Sequence, residues 1–167
     1  MAGIYTEETR KEFSKGVYDM IVNILEERKW RYEKFDDQLS VDFMITGKDL
    51  MMHFIIVVDE ERRLVRLMSP FTFRPSKDNS LNLCVATTVI NHAMGTGCFT
   101  YDPIKNQLMY KIATSVIHGD FGAGLFDFLI DFACEMVDAF NDKLFAVSLG
   151  YLGLDDIMSR DFLSALS

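Results

Sequence analysis

The segment Met51-Met52-His53-Phe54-Ile55-Ile56-Val57-Val58 decides the fold, because seven of its eight residues are apolar and it has the length of a strand. Aromatic and β-branched side chains favour a strand here over a helix. Successive side chains of a strand point to opposite faces, so both faces are apolar apart from His53. This pattern is typical of a central strand that is covered on both sides. We therefore expect a sheet built around this segment, with a cover on each face.

Shorter alternating segments lie on either side of this strand along the chain. They predict strands at 31–35, 39–46 and 64–71, joined by polar turns, and hence an antiparallel meander with the strand at 51–58. A helix is predicted before the meander, at 6–29, with Glu7 and Glu8 in its first turn. After the meander we expect an uncharged, buried helix at 81–94 that ends at Gly95, a hairpin of 98–102 and 107–116, and a long helix at 125–145.

The long helix carries more apolar surface than one core contact requires. Its acids fall within one band of about 80°, and apolar residues fill about 200° of the remainder. The acids are Asp127, Asp131, Glu135, Asp138 and Asp142. They are expected to form a solvated face, and docking of a basic partner is the sharper alternative. The apolar excess predicts a homodimer. The alternative is a cover formed by the tail, where Leu154, Ile157, Met158 and Phe162 have the spacing of a short amphipathic helix.

Composition bounds the class of protein. The 167 residues are 49% hydrophobic and 25% charged, which suits a single domain over 1–167 with 150–167 as a helical tail extension. A net charge of −8 disfavours nucleic-acid binding. No apolar run approaches the ~20 residues of a membrane span, and the first ten residues lack the pattern of an export signal. The odd set Cys84, Cys98 and Cys134 fits reduced thiols, so a cytoplasmic location is expected.

No complete catalytic or metal-binding motif is found in the sequence. The glycine-rich loop at 118–124 lacks the lysine of a phosphate-binding loop, and Asp120 places negative charge where an anion would bind, so a helix-capping turn is expected. His53, His92 and His118 lie far apart and outside any ligand motif. A Cys–His hydrolase is the least favoured alternative. We therefore predict no catalytic residue, no metal, no cofactor and no enzymatic activity.

The order of these elements resembles the YbjN-type domain and, in fold, the small acidic chaperones of type III secretion. The likeness is carried by Trp30-Arg31-Tyr32-Glu33, by the segment 58–67, by Val89-Ile90-Asn91, and by the hairpin around 98–110, and it spans about residues 10–145. The resemblance implies an α+β, two-layer fold with helices on one side of a twisted antiparallel sheet, often dimeric and without a cofactor. It also implies a structural role for Asn91, which would bond backbone at the helix end. Gly95 is assigned a structural role as the glycine after the helix.

The resemblance implies two related functions. Secretion chaperones of this shape hold an extended, partly unfolded client on apolar patches, and YbjN-type proteins are described as regulators of sensory transduction. We therefore expect a non-enzymatic protein-binding module, chaperone-like or a regulatory adaptor, in a bacterial cytoplasm. A small-molecule-sensing regulatory domain is the alternative. The expected partner-binding residues are Met51, Met52, Phe54, Leu64 and Met68.

Overall fold

The computed structural model describes residues 7–48, 50–117 and 121–166 and has an α+β fold, in which helices cover one face of an antiparallel sheet. Its helices are α1 (Glu7–Glu27), α2 (Ser80–Ala93), α3 (Ala123–Leu149) and α4 (Leu154–Ile157), followed by a 3₁₀ segment at Arg160–Leu166. Its strands are β1 (Tyr32–Phe35), β2 (Ser40–Thr46), β3 (Met51–Asp59), β4 (Leu64–Pro70), β5 (Cys98–Asp102) and β6 (Gln107–Ser115). The predicted fold class is confirmed. The N-terminal end of the helix predicted at 6–29 lies outside the described residues.

The sheet has six strands in the order β1-β2-β3-β4-β6-β5, and every neighbouring pair is antiparallel. β3 lies in the interior of the sheet, with Asp42 of β2 opposite Ile55 on one side and Met68 of β4 opposite it on the other. The alternation of side chains then assigns one set of residues on each strand to the helix layer. That set forms the core, and its largest members on the strands are Phe43, Phe54, Phe99 and Tyr110.

Arg28, just after α1, ties the two long helices to the sheet. Its guanidinium pairs with Asp127 of α3 and lies over the rings of Phe126, 5.1 Å from the centroid, and Trp30, at 5.6 Å. Trp30 in turn packs against Phe43 of β2, with ring centroids 5.8 Å apart. α1 and α3 therefore share the face of the sheet on which Phe43 and Phe54 lie.

The prediction that α2 is a buried helix holds for only one of its sides. Leu83, Ala86, Thr87 and Ile90 are buried, but Leu81 is exposed. The reason is position: α2 packs on β5, the last strand of the sheet, and on α3, so the rest of the helix faces outward. An uncharged helix at the edge of a sheet needs only one covered side.

Asn91 bonds backbone, as expected, but on the neighbouring strand and not at the end of its own helix. Its amide nitrogen donates to the carbonyl of Phe99, and its amide oxygen accepts from the Phe99 N–H, both at 2.8 Å. These two bonds fix the start of β5 against α2.

The glycine that the chain needs after α2 is Gly97 and not Gly95. Gly95 follows the C-cap Met94, yet the left-handed backbone is at Gly97, with φ of +71°. A Cβ atom at Gly97 would lie 2.0 Å from the hydroxyl oxygen of Tyr110, whereas one at Gly95 would meet no atom within 4 Å. Gly95 is the first residue after the C-cap, as predicted, but the left-handed conformation that requires glycine is adopted two residues later, at Gly97.

The tail packs on the helix layer and leaves the second face of the sheet open. Ile157 and Phe162 are buried, and the tail contacts α2 and α3. The Lys143 ammonium donates to the carbonyls of Asp161, at 3.1 Å, and Phe162, at 2.8 Å. Leu154 and Met158 remain exposed, so two of the four residues expected to form this cover take no part in it. In the part of the chain that the structure describes, the second cover expected over β3 is missing.

Candidate protein-binding site

The face of the sheet that no described helix covers carries apolar side chains among charged and polar ones, and we call it the open face. Met51 is 58% exposed and Met44 is 49% exposed, while Ile55, Val57, Leu64 and Met68 are half-buried. Apolar members from the four inner strands are Met44, Met51, Ile55, Val57, Leu64, Met68 and Met109. A patch of this kind on one chain marks an interaction surface, and methionine side chains adapt to varied apolar partners.

The structure divides the predicted partner-binding residues between the two faces. Met51, Leu64 and Met68 lie on the open face. Met52, 1% exposed, and Phe54, 0% exposed, lie in the core, so the prediction is wrong for these two. Met52 and Phe54 lie an odd number of residues from Met51, and such residues of one strand point to the opposite face.

Sequence reasoning missed Ile55 and Val57, which share the face of Met51. Strict alternation from Met51 would have found both, because residues i, i+2 and i+4 of a strand lie on one face. The predicted set instead follows apolarity along the strand and not the alternation of its two faces. The open face is therefore richer in β-branched side chains than the predicted set.

A groove of about 820 Å³ runs along the β1 edge of the sheet, and residues of both faces line it. β1 pairs only with residues 40–43 of β2, so residues 44–46 pair with β3 alone. The Leu39 carbonyl accepts from the Val58 N–H of β3, so the odd-numbered residues of β2 direct their backbone groups toward β3. The backbone groups of Met44 and Thr46 therefore point to the opposite side, where no strand pairs with them among the described residues. Residues lining the groove include Trp30, Tyr32, Asp42, Phe43, Met44 and Met51.

A histidine–carboxylate pair lies beside this groove. His53 Nε2 bonds Asp42 Oδ1, and both side chains are partly exposed. Cys98, which also lies on the open face, is on β5, three strand spacings from β3, or about 14 Å. The pair therefore has no thiol nucleophile within reach on this face.

Among the described residues, the other thiols and histidines do not form a reactive cluster. Burial raises the pKa of the Cys134 thiol to about 11, the opposite of what a nucleophilic cysteine requires. Cys84 and His92 lie on α2, and His118 lies outside the described residues. Over 7–48, 50–117 and 121–166 no group of His, Cys, Asp or Glu side chains could hold a metal ion.

The acidic band of α3 is mixed in role. Asp127 pairs with Arg28, and Asp138 Oδ2 accepts from the Lys48 N–H at 3.1 Å, which holds the β2–β3 turn against the helix. Asp131, Glu135 and Asp142 are exposed, as in a solvated face. The glycine-rich loop falls at residues 118–120 outside the described residues, and Gly122 forms the N-cap of α3.

In fold, the chain is similar to a chain in a solved structure described as "Structure of the HopA1-SchA Chaperone-Effector Complex", with a TM-score of 0.56 and 13% identity over 78% of this chain and 94% of that chain. A likeness at this identity supports the predicted chaperone-like fold and nothing finer. No family model and no curated protein matches the chain, so the YbjN-type resemblance stays a prediction. Among the described helices, none has the length and apolarity needed to cross a membrane.

Proposed function

We propose that this protein is a non-enzymatic protein-binding module that holds an extended apolar segment of a client protein, chaperone-like, in a bacterial cytoplasm. The observation that carries the proposal is the set of apolar side chains on the open face, over which no described helix packs. Burying apolar area contributes about 25 cal/mol per Å², so this surface supplies the main driving force for a client. Methionines at Met44, Met51 and Met68 let one surface accept clients of different shape.

The groove at the β1 edge supplies direction and register for such a client. An extended segment laid beside residues 44–46 would pair with the unpaired backbone groups of Met44 and Thr46, as in strand addition to a sheet edge. Its side chains would alternate between the groove and the open face beside Met51. The likeness in fold to a chain of a chaperone–effector complex supports the same type of function.

A regulatory domain that senses a small molecule is the second candidate. The groove of about 820 Å³ has the size of a ligand site and is lined by Trp30, Tyr32 and Phe43 together with the Asp42 carboxylate. Aromatic walls with a few polar groups suit a metabolite of moderate size. Enzymatic use of the same groove is not proposed, because the His53–Asp42 pair has no thiol within reach.

A homodimer remains part of the proposal, and the structure offers a surface for it that leaves the open face free. Phe128 and Phe132 of α3 stack with ring centroids 5.9 Å apart, and Phe128 is exposed. The tail covers the other end of α3, near Lys143, and does not extend to this pair. One apolar ridge can then bury its own copy across a two-fold axis.

Light scattering tests this part on three proteins: the full chain, a chain truncated after Leu149, and Phe128→Glu. A dimer in the full chain that dissociates in Phe128→Glu supports the ridge. A monomeric full chain that associates only after truncation would sink the dimer and make the tail its cap.

The client is tested by affinity capture at native expression with two matched variants. Met51→Glu places a charge on the open face, whereas Ile104→Glu places the same charge on a side chain that is 94% exposed in the β5–β6 turn. We expect a stoichiometric protein complex that Met51→Glu loses and Ile104→Glu keeps. If capture returns no protein while a metabolite screen finds a ligand whose binding depends on Trp30, the sensing function replaces the chaperone-like one.

A further inference from the structure

A second open edge lies at the diagonally opposite corner of the sheet, where β6 extends beyond β5. β5 pairs only with residues 107–111 of β6, so residues 112–115 pair with β4 alone. The Phe71 N–H donates to the Leu108 carbonyl. The even-numbered residues of β6 therefore direct their backbone N–H and C=O groups toward β4. Ala113 and Ser115 therefore turn their backbone N–H and C=O groups outward, and no strand in the described ranges pairs with them.

A trough of about 370 Å³ lies beside this edge on the open face. Cys98 and Ala113 are small, and Gly97 has no side chain, so the floor is low where strand β5 begins. The side chains of Arg66, Met68 and Lys111 stand around it, because Arg66 is opposite Ala113 and Met68 is opposite Lys111. The trough has room for a side chain of an added strand.

The charge of the trough is opposite to that of the chain. The protein carries a net charge of −8, yet the charged residues that line the trough are Arg66 and Lys111. Arg66 and Lys111 are diagonal neighbours on one face, so their Cα atoms are roughly 7–8 Å apart. Arg66 Nη2 lies 3.3 Å from Asp59 Oδ2, which holds the guanidinium in place, while its buried Nε has no hydrogen-bond partner. Lys111 has no ion pair with any described residue.

We propose that this corner binds an extended acidic peptide segment, which adds as a strand to the free edge of β6 and places a carboxylate between Arg66 and Lys111. The backbone of Ala113 and Ser115 supplies the hydrogen bonds of strand addition. The two cations supply the selection for acid, because a lysine at the same position would be repelled. The site is separate from the client groove, which lies beside β1 and carries the carboxylates of Glu33 and Asp42.

The test uses two labelled peptides about eight residues long, a typical strand length, one of alternating valine and glutamate and one of alternating valine and lysine. Fluorescence anisotropy with the full chain is expected to show binding of the glutamate peptide at least about tenfold tighter than the lysine peptide, and weaker in high salt. Amide chemical shifts are expected to change around 111–115. Shifts confined to 44–46, or equal binding of the two peptides, would overturn the proposal.

Two variants separate the backbone contribution from the charge contribution. Ala113→Pro removes an outward N–H without touching the ladder to β4, and Lys111→Glu reverses the unpaired charge; each is expected to weaken the glutamate peptide about tenfold or more. Lys105→Glu, in the β5–β6 turn, is the charge-matched control and should bind as the parent does. If Ala113→Pro fails to fold, Lys111→Glu decides alone. An unchanged affinity in Lys111→Glu, or self-association without peptide that Lys111→Glu abolishes, would overturn the proposal, the latter in favour of a second copy as occupant.

Discussion

The two faces of β3 are almost equally apolar but have different surroundings. Met52, Phe54 and Ile56 lie under the helices and are at most 1% exposed, whereas Met51, on the other face, is 58% exposed. Apolarity of a strand therefore does not show which side is covered. The neighbouring strands show which side is covered, because their side chains make up the rest of each face.

The side chains of the neighbouring strands explain why the helices pack on the face of Phe54 and not on the face of Ile55. Around Phe54 they contribute Phe43 directly opposite, Leu67 diagonally and, one strand further, Ile112, all buried. Around Ile55 they contribute Asp42 and Met68 directly opposite and Arg66 diagonally, so charges lie among the apolar side chains there. Covering the second face with a helix would remove these charges from water, which is costly unless every one is paired. A mixed face of this kind suits a partner that can leave.

The largest effect is expected from Phe54→Ala on the covered face. Removing a fully buried ring leaves a cavity in the core, and we expect the free energy of unfolding to fall by about 4 kcal/mol. Equilibrium urea unfolding measures this. A loss below about 1 kcal/mol would mean that the helix layer collapses onto the site or does not pack there.

Gly97→Ala tests how tightly the covered face is packed, because this face has no room for one added carbon at this position. The positive φ and the 2.0 Å approach to the Tyr110 hydroxyl together predict a loss of about 3 kcal/mol. Gly95→Ala is the matched control and should stay within about 0.5 kcal/mol, since nothing lies within 4 Å of its added atom. Equal melting temperatures for the two variants would contradict this reading of the turn.

Asp59 is a buried carboxylate on the open face, and it predicts a pH dependence. Burial by itself raises its pKa, but the N–H and guanidinium of Arg62 and the charge of Arg66 outweigh burial, so the pKa is lowered overall. The ionised form therefore stabilises the fold above the ordinary value of about 3.9, and this stabilisation is lost as the pH falls through the lowered pKa.

Asp59→Asn is accordingly expected to cost about 2 kcal/mol at neutral pH, with a difference from the parent that shrinks below about pH 4. Urea unfolding across pH 3 to 7 measures it, with the exposed Glu135→Gln of α3 as control. A difference that is constant down to pH 3 would show that the charge of Asp59 is not what stabilises the turn.

The smallest effect on stability is expected from Ile55→Thr on the open face. Threonine keeps the β-branched shape of the strand, and the side chain has no helix over it, so the change should stay near 0.5 kcal/mol. Client capture should fall in the same variant. A loss as large as that of Phe54→Ala would show that this face is covered in solution, most simply by a second copy.

Much of the fold was predictable because the signals are local. Strands and helices were placed to within a few residues, and Asn91 was correctly expected to bond backbone. The candidate site was predicted less well, since Met51, Leu64 and Met68 lie on the open face while Met52 and Phe54 do not. Choosing between the two faces of one strand needs the register of its neighbours, and no local pattern contains it.

The sequence by itself determined the elements, their order and the acidic, cored character of the chain, because periodicities of two and 3.6 residues and net charge are properties of short segments or of composition. Only the tertiary structure decided that the tail lies on the helices, that Gly97 must accommodate Tyr110, and that β1 and β5 are too short to cover β2 and β6. Each of these depends on residues far apart in the chain meeting at one place. The unpaired edges and the open face that result from them are the features from which a binding function can be argued.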